Sequence, residues 1–416
     1  MLVNSLVLIG IGLSSLLLAP LSEVYGRKPI LVLGSISFVI WNTGCGVVQT
    51  LDQMLALRVF SGFGASVGDT VAGGVLSDLW EPEARGRAFA IFMAPALLGT
   101  AIGPICGAYI SEGLNWRWVF WISSIASALI IAIAIFFLRE TYEPAIQKSL
   151  IRKARRVNGA DTVCLSKSSS SHGTAGFVET MRINLQRPFR MLGTQIIVQI
   201  LAVYMACLYG IMWLFLFMYP RMWRDQYQQD IGPASLNYLS FGIGLLAGVN
   251  LAGYLNDRIY ARLKSRNNGV GRPEYRIPVM SIGTVFTVAG LLLWGWAGEF
   301  KLHWIVPNIG TFVFATGVYV CSACVSVYTI DTYTKYAASA ISTNLVLRSL
   351  CAAFYPLFAP YMFDSLGFGF SATTLAAAFG VFGVASVTVL WFFGESLRAR
   401  SPYCAADLDN TSDDSL

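Results

Sequence analysis

Apolar residues fall in long blocks along this chain, separated by short polar interruptions. The blocks run about 20 residues, the length an α-helix needs to cross about 30 Å of hydrocarbon. The pattern predicts eleven membrane spans, near residues 1–21, 30–48, 54–79, 88–110, 117–138, 192–219, 235–256, 278–298, 304–328, 337–362 and 370–393. No soluble catalytic domain fits between them. The longest gap, 139–190, holds the serine-rich run from Ser166 to Ser171 and reads as a flexible linker. After Arg400 the chain turns polar and acidic (Asp407, Asp409, Asp413, Asp414), as a disordered tail does.

Composition agrees with the spans. Of the 416 residues 55% are hydrophobic and 12% charged, against about a quarter charged in soluble domains. The fold class is an all-α membrane protein. The eight cysteines show no paired spacing, and Cys207, Cys321, Cys324 and Cys351 lie inside apolar blocks as small hydrophobes. Cys321 and Cys324 make a C-x-x-C without a second pair, inside a span, which argues against zinc or redox chemistry. The two histidines, His172 and His303, both fall in loops, so no metal centre is expected. No nucleophile–base constellation points to an enzyme, and no cofactor is called for.

The net charge of +6 has a topological reading, with nucleic acid excluded as a partner. Lys and Arg gather in the linker (Arg139, Lys148, Arg152, Lys153, Arg155, Arg156 and beyond) and in the loop after Asn256 (Arg258, Arg262, Lys264, Arg266). The short loops with Arg27 and Lys28, then Arg85 and Arg87, alternate onto the same side. Basic loops stay in the cytoplasm, so the linker and the C-terminus are expected there. Eleven spans then put the N-terminus outside. The run Leu2 to Leu18 lacks the positive start of a signal peptide and is followed by Glu23, Tyr25 and Arg27, so it reads as a span. The expected organisation is an N-terminal bundle of five spans (1–138), a cytoplasmic linker (139–190), a C-terminal bundle of six (191–396) and a cytoplasmic tail (397–416).

An internal repeat sharpens this. The first span ends with Ala19, then Glu23, Gly26, Arg27 and Lys28; the seventh ends with Gly253, Asp257 and Arg258. In both, a small residue stands four positions before an acid that basic residues follow. Duplicated halves joined by a cytoplasmic loop are the architecture of many secondary transporters. Here the chain resembles the major facilitator superfamily, whose motif between its second and third helices reads G-x-x-x-D-R-x-G-R-K. Ala19, Glu23 and Val24 depart from that pattern in the first copy, while Gly26, Arg27 and Lys28 match. Gly253, Asp257 and Arg258 match in the second. Arg58-x-x-x-Gly62-x-Gly64 looks like the family's fourth-helix motif. Gly99, Gly103, Pro104 and Gly107 resemble the fifth-helix motif of drug/proton antiporters, with Ala108 where a final glycine is usual. Trp116-Arg117-Trp118, Glu140-Thr141-Tyr142-x-Pro144 and Pro273-Glu274-Tyr275-Arg276 look like the twelve-helix fungal multidrug antiporters, as do Ala338-Ser339-Ala340 with Asn344 and Arg348.

The resemblance implies two pseudo-symmetric bundles in a cell membrane, working as a monomer without cofactor. It implies secondary active, proton-coupled efflux of small organic molecules (drugs, toxins or secondary metabolites) by alternating access, with the proton gradient as energy source. On the family's register the first span here corresponds to its second helix, so the first helix has no counterpart. An apolar run of about 20 residues in the coding sequence upstream of Met1 would show a misassigned start.

Particular residues carry the chemistry. Arg58 lies inside a span, where a lone charge costs at least about 2.5 kcal/mol and normally faces a partner or a wet cavity. Asp69 is eleven residues on, and eleven steps of about 100° return to nearly the same face, about 16 Å further along. Arg58, Gly62, Ala65, Asp69 and Gly73 therefore form one stripe that reads as a cavity wall. Asp69 would bind and release the proton and Arg58 would tune it; the competing reading has both satisfied by neighbouring helices as packing devices. Arg348 repeats the buried charge in the C-terminal half. Gly99, Gly103 and Gly107 share a face, chiefly a packing and hinge signal with Pro104 bending the helix. Glu23 with Arg27, and Asp257 with Arg258, are expected as ion pairs that latch one conformation. Gln199, Tyr204, Tyr209, Trp213, Tyr319, Ser322 and Ser326 offer polar-aromatic surface to an amphipathic cargo, although aromatic residues in spans more often pack or anchor. Two alternatives stay open at this level: a proton-coupled nutrient symporter, against which the glycine-proline motif argues, and a non-transporting membrane scaffold or receptor derived from the fold.

Overall fold

The computed structural model describes residues 2–68, 70, 71, 75, 79, 82–142, 146, 147, 150, 186, 189–333, 337–401 and 404, with backbone alone at 19, 20, 23, 24, 82–94 and 337–339. Asp69 and Gly73 lie outside the described residues, as do nearly all of the expected linker and tail. Among the described residues every regular element is helical. Each of the eleven expected spans has its helix. These are α1 (Leu2–Tyr25), α2 (Arg27–Cys45), α3 (Leu51–Ala65), α4 (Pro82–Gly113) and α5 (Trp116–Phe137), then α6 (Ile196–Asp225). A short α7 (Ile231–Leu236) leads into α8 (Tyr238–Arg266), followed by α9 (Ile277–Glu299), α10 (Ile305–Thr332) and α11 (Ala337–Ala399). The last is two spans joined end to end, broken at Gly367 (φ 74°, ψ 179°). By length and composition seven of the described helices can cross a membrane. The apolar run of α1 is shorter, and the described part of α3 ends at Ala65.

Helix is the only answer available to these sequences in lipid, because it satisfies every backbone polar group internally. Among the described residues the loops between helices are short, and carboxylates hold two of the helix ends. Glu299, at the end of α9, accepts from the Phe368 (2.7 Å) and Gly369 (3.1 Å) amides that open the second arm of α11. Glu112, at the end of α4, accepts from the Gly232 amide of α7 (2.7 Å).

The chain packs as two compact units. One comprises residues 2–91 and 117–190, with α3 packed between α1 and α2. Gly62 allows that packing: a Cβ there would meet the Val7 carbonyl oxygen and the Gly10 Cα of α1. The stripe predicted as a cavity wall is thus corrected at Gly62, which is a helix crossing. The second unit comprises residues 92–116 and 191–416. Its centre is α10, 61% buried over its most apolar window, against 11% for α5 in the first unit. α5 instead exposes Ile130, Ile133, Phe136 and Phe137, the apolar sheath that a bilayer covers. In the second unit α6 packs on α11, α9 on α10 and α11, and α8 on α10.

Candidate functional site

α3 begins at Thr50, whose hydroxyl accepts from the Gln53 amide (3.4 Å) and caps the helix. Two turns further in stands Arg58. Its guanidinium lies 4.6 Å from the Phe120 ring centroid, and its Nε is buried with no hydrogen-bond partner. Cys45, Val48 and Met54 pack with Phe120 into a small apolar cluster. A desolvated cation–π contact recovers about 2 kcal/mol, which a buried orphan donor offsets by about 1–3 kcal/mol. The two nearly cancel, so Arg58 is held with little net gain, in a site built from ring and sulfur with no carboxylate in ion-pair reach among the described residues. Neighbouring polarity comes from Asn42, whose amide donates to Ser124 (2.9 Å) and the Phe120 carbonyl (3.0 Å), and from Ser14 hydrogen-bonded to Ser66.

The second unit repeats the device. Arg348, in the first arm of α11, lies 4.4 Å from the Tyr209 ring centroid of α6. Unlike Arg58, its nitrogens are not among the buried orphan atoms, and they make no hydrogen bond or ion pair with described residues. The head is open to a ligand or water. Close to Tyr209 on α6, Cys207 meets Tyr355 and closes the α6–α11 seam with a weak hydroxyl–sulfur contact (3.9 Å).

Other expected contacts are placed differently. Tyr204 is fully buried, with its hydroxyl on Thr284 (2.8 Å) and Cys321 (3.0 Å), a packing position. Gln199 donates to the Leu192 carbonyl (2.7 Å) and Ser322 to the Val318 carbonyl (2.9 Å); Ser326 bonds back to the Ser322 carbonyl (2.8 Å). Tyr319 and Trp213 are half-buried. Among the described residues of the set, Tyr209 and Arg348 meet across two helices, while Ser322 and Ser326 are joined within α10.

At the loop motifs the turn between α1 and α2 rests on Gly26, at φ 101°, a conformation L side chains avoid. Glu140 accepts from the amides of Arg27 (2.8 Å) and Lys28 (3.2 Å), the first turn of α2. The Arg27 side chain donates to Ser22 (2.7 Å) and stacks on Tyr142 (5.1 Å), while Lys28 donates to the Ile135 carbonyl (2.9 Å). The expected Glu23–Arg27 pair falls on a Glu23 side chain that lies outside the described residues. The expected Asp257–Arg258 pair does not form: consecutive helical residues point about 100° apart, and Arg258 lies over Tyr254 (5.2 Å). Among the described residues, the ion pairs of that end are Arg272–Glu395 (2.5 Å), Arg276–Asp331 (3.1 Å) and Arg398–Glu274 (3.3 Å). An acid standing at a span boundary marks such partners in the sequence, but not which helix end it reaches.

Gly99 and Gly103 stand on α4. A Cβ on either would meet no described atom within 4 Å. The close approach on that helix is made by Ala101, against Gly242 of α8. Helical structure continues through Pro104. Among the described residues no cluster of His, Cys, Asp and Glu could hold a metal.

Comparison with known proteins bears on this arrangement. The family model described as Major Facilitator Superfamily matches residues 1–356. The chain is 39% identical over 405 residues to a protein of Penicillium aethiopicum named efflux pump vrtL, covering 96% of this chain and 78% of that one. It is 38% identical over 407 residues to an uncharacterised transporter of Schizosaccharomyces pombe, covering 96% and 81%. A solved D-xylose–proton symporter shares the fold, with a TM-score of 0.66 at 16% identity over 94% of this chain and 86% of that one.

Proposed function

The chain belongs to the Major Facilitator Superfamily, and on that footing we propose that it exports small organic molecules by proton-coupled alternating access. It is a multi-pass membrane protein. The observation that carries the export reading is its likeness along 96% of its length to a protein named as an efflux pump. In this reading the linker and the C-terminus are cytoplasmic, the cargo is drug-like or a secondary metabolite, and the protein works as a monomer without cofactor. It is not an enzyme.

Arg58 and Asp69 have separate tasks in the proposal. Asp69 takes up a proton from the acidic side and gives it up on the other. Arg58, anchored over Phe120 with an unpaired Nε, has a donor to spare, and a field from it would favour the ionised form of an acid eleven positions on in the sequence. Protonating Asp69 weakens that attraction, so binding and release of the proton shift the balance between two conformations. The Gly26 turn with Arg27, Lys28 and Glu140 holds the first repeat motif rigid, while Gly253, Asp257 and Arg258 leave the second one exposed. An exposed charged motif is free to change partners when the conformation changes. Gly99, Gly103, Pro104 and Gly107, with open space beside the first two, leave room for a helix to move against them.

The test is cellular. A yeast host stripped of its own exporters should retain less of a fluorescent aromatic cargo when it expresses this chain. Collapse of the proton gradient with a protonophore should abolish the difference. Equal retention with and without the chain contradicts export, and export that survives the protonophore contradicts proton coupling.

A further inference from the structure

The charge inventory of the second unit separates Arg348 from its other structural arginines. Arg221 pairs with Asp225 and Asp364, Arg276 with Asp331, and Arg398 with Glu274, all at helix ends. Arg348 stands about 16 Å in from Ala337, where α11 starts, near the middle of a span. No carboxylate reaches it among the described residues, and its nitrogens are neither hydrogen-bonded nor sealed. A cation kept unpaired at that depth is expensive and marks a functional site by default.

The surroundings fix its geometry. Stacking on Tyr209 at 4.4 Å occupies one face of the guanidinium. The N–H groups lie in the plane of the group and radiate from its edge, so the fork remains free for a planar, bidentate acceptor. Tyr355, two turns along α11 on the same face, lays its ring over Gly210, where a Cβ would fall 2.8 Å from a ring atom. Tyr319 of α10, half-buried like Tyr209, packs against the same core. Tyr209 is the ring in contact with the cationic fork, and Tyr319 and Tyr355 pack against the same core as Tyr209. Such a lining favours an aromatic body with an acidic group and repels a cationic cargo.

We infer that Arg348 and Tyr209 form the seat for the carboxylate of an aromatic organic acid, the part of the cargo that sets which molecules are carried. The inference rests on the export reading for the word cargo; the seat itself is a binding property. The ring of the acid lies against Tyr209 and Tyr319, and its carboxylate accepts two N–H groups from Arg348.

Equilibrium binding to the full chain in lipid nanodiscs, with no gradient, tests it. The probes are anthracene-9-carboxylate and its methyl ester, read by fluorescence. The wild type should bind the acid on the order of tenfold or more tighter than the ester, as a bidentate charge-assisted contact implies. Arg348→Gln should bring the acid down to the ester's affinity and leave the ester unchanged. Arg348→Lys keeps the charge but not the fork, and should retain only part of the preference. Tyr209→Leu should weaken both probes. A wild type that binds neither probe, or without preference, overturns the seat. So does an Arg348→Gln or Arg348→Lys protein with the full wild-type preference, and the lysine variant decides where the glutamine variant does not fold. A chain that binds the acid through Arg348 but moves nothing in vesicles would keep the seat and remove export. One that exports the ester with no preference for the acid would keep export and remove the seat.

Discussion

The Glu140 carboxylate accepts the backbone amides of both Arg27 (2.8 Å) and Lys28 (3.2 Å), closing the end of α5 onto the start of α2. The same carboxylate also takes the Thr141 and Tyr142 amides (3.1 Å each), so one side chain organises two segments. Negative charge at a helix N-terminus is favourable twice over, through the hydrogen bonds and through the helix dipole. Glu140→Ala should therefore cost about 1–2 kcal/mol, seen as a lower Tm of the detergent-solubilised protein. Glu140→Gln keeps an acceptor and should lose less. An alanine variant as stable as wild type would show the cap to be idle.

Two glycine motifs should respond in opposite ways to added bulk. Gly62 sits where α1 crosses α3, and a side chain there would strike the Val7 carbonyl. Gly62→Leu should abolish the monodisperse peak in size-exclusion chromatography. Gly99→Ala and Gly103→Ala meet no described atom and should change stability by no more than about 0.5 kcal/mol. Loss of folded protein in the last two would mean that something covers that face.

The end of the second unit offers a sharper pair. Arg276 reaches Asp331 at 3.1 Å and stacks on Tyr260 at 4.3 Å, while Arg258 meets, among the described residues, the Tyr254 ring at 5.2 Å. Arg276→Ala should destabilise by about 1–2 kcal/mol, more than an exposed pair is worth, because the site is partly buried. Arg258→Ala should be nearly neutral. A double-mutant cycle with Asp331→Ala measures the Arg276 coupling directly, and a coupling near zero contradicts the assignment.

Much of this was legible in the sequence because a bilayer imposes one strong rule. Eleven apolar blocks became helices, and even the joined last two are divided by the break at Gly367, between the blocks ending at 362 and beginning at 370. The Gly26 turn was legible from a motif, and its positive φ explains why glycine stands there. Partners were not legible. Glu140 and Arg27 lie 113 positions apart, and nothing local says which helix end a boundary acid will cap. Asp257 and Arg258 looked like a pair through adjacency in sequence, which on a helix separates side chains. Tyr204 and Tyr209 look alike in an apolar helix, yet one is buried against Thr284 and the other stacks under Arg348. Only the packing of α6 distinguishes their faces.

Removing Arg58 separates its cost from its use. Its Nε is buried without a partner, so Arg58→Gln should leave the Tm within about 1 kcal/mol equivalent of wild type, or raise it. Gradient-driven transport should nevertheless fall by at least about tenfold, the effect of losing roughly 1.4 kcal/mol of coupling. A variant that unfolds while its transport per folded molecule is unchanged would make Arg58 a packing residue.

Proton-driven export itself is tested most directly in everted membrane vesicles, where the cytoplasmic face points outward and a fluorescent aromatic acid or its ester serves as cargo. An imposed acid-inside gradient should drive accumulation in vesicles carrying the wild type. Asp69→Asn should abolish that accumulation while preserving exchange of cargo across the membrane without a gradient. Accumulation driven by an acid exterior, or gradient-driven accumulation at the full rate in Asp69→Asn vesicles, would contradict the account.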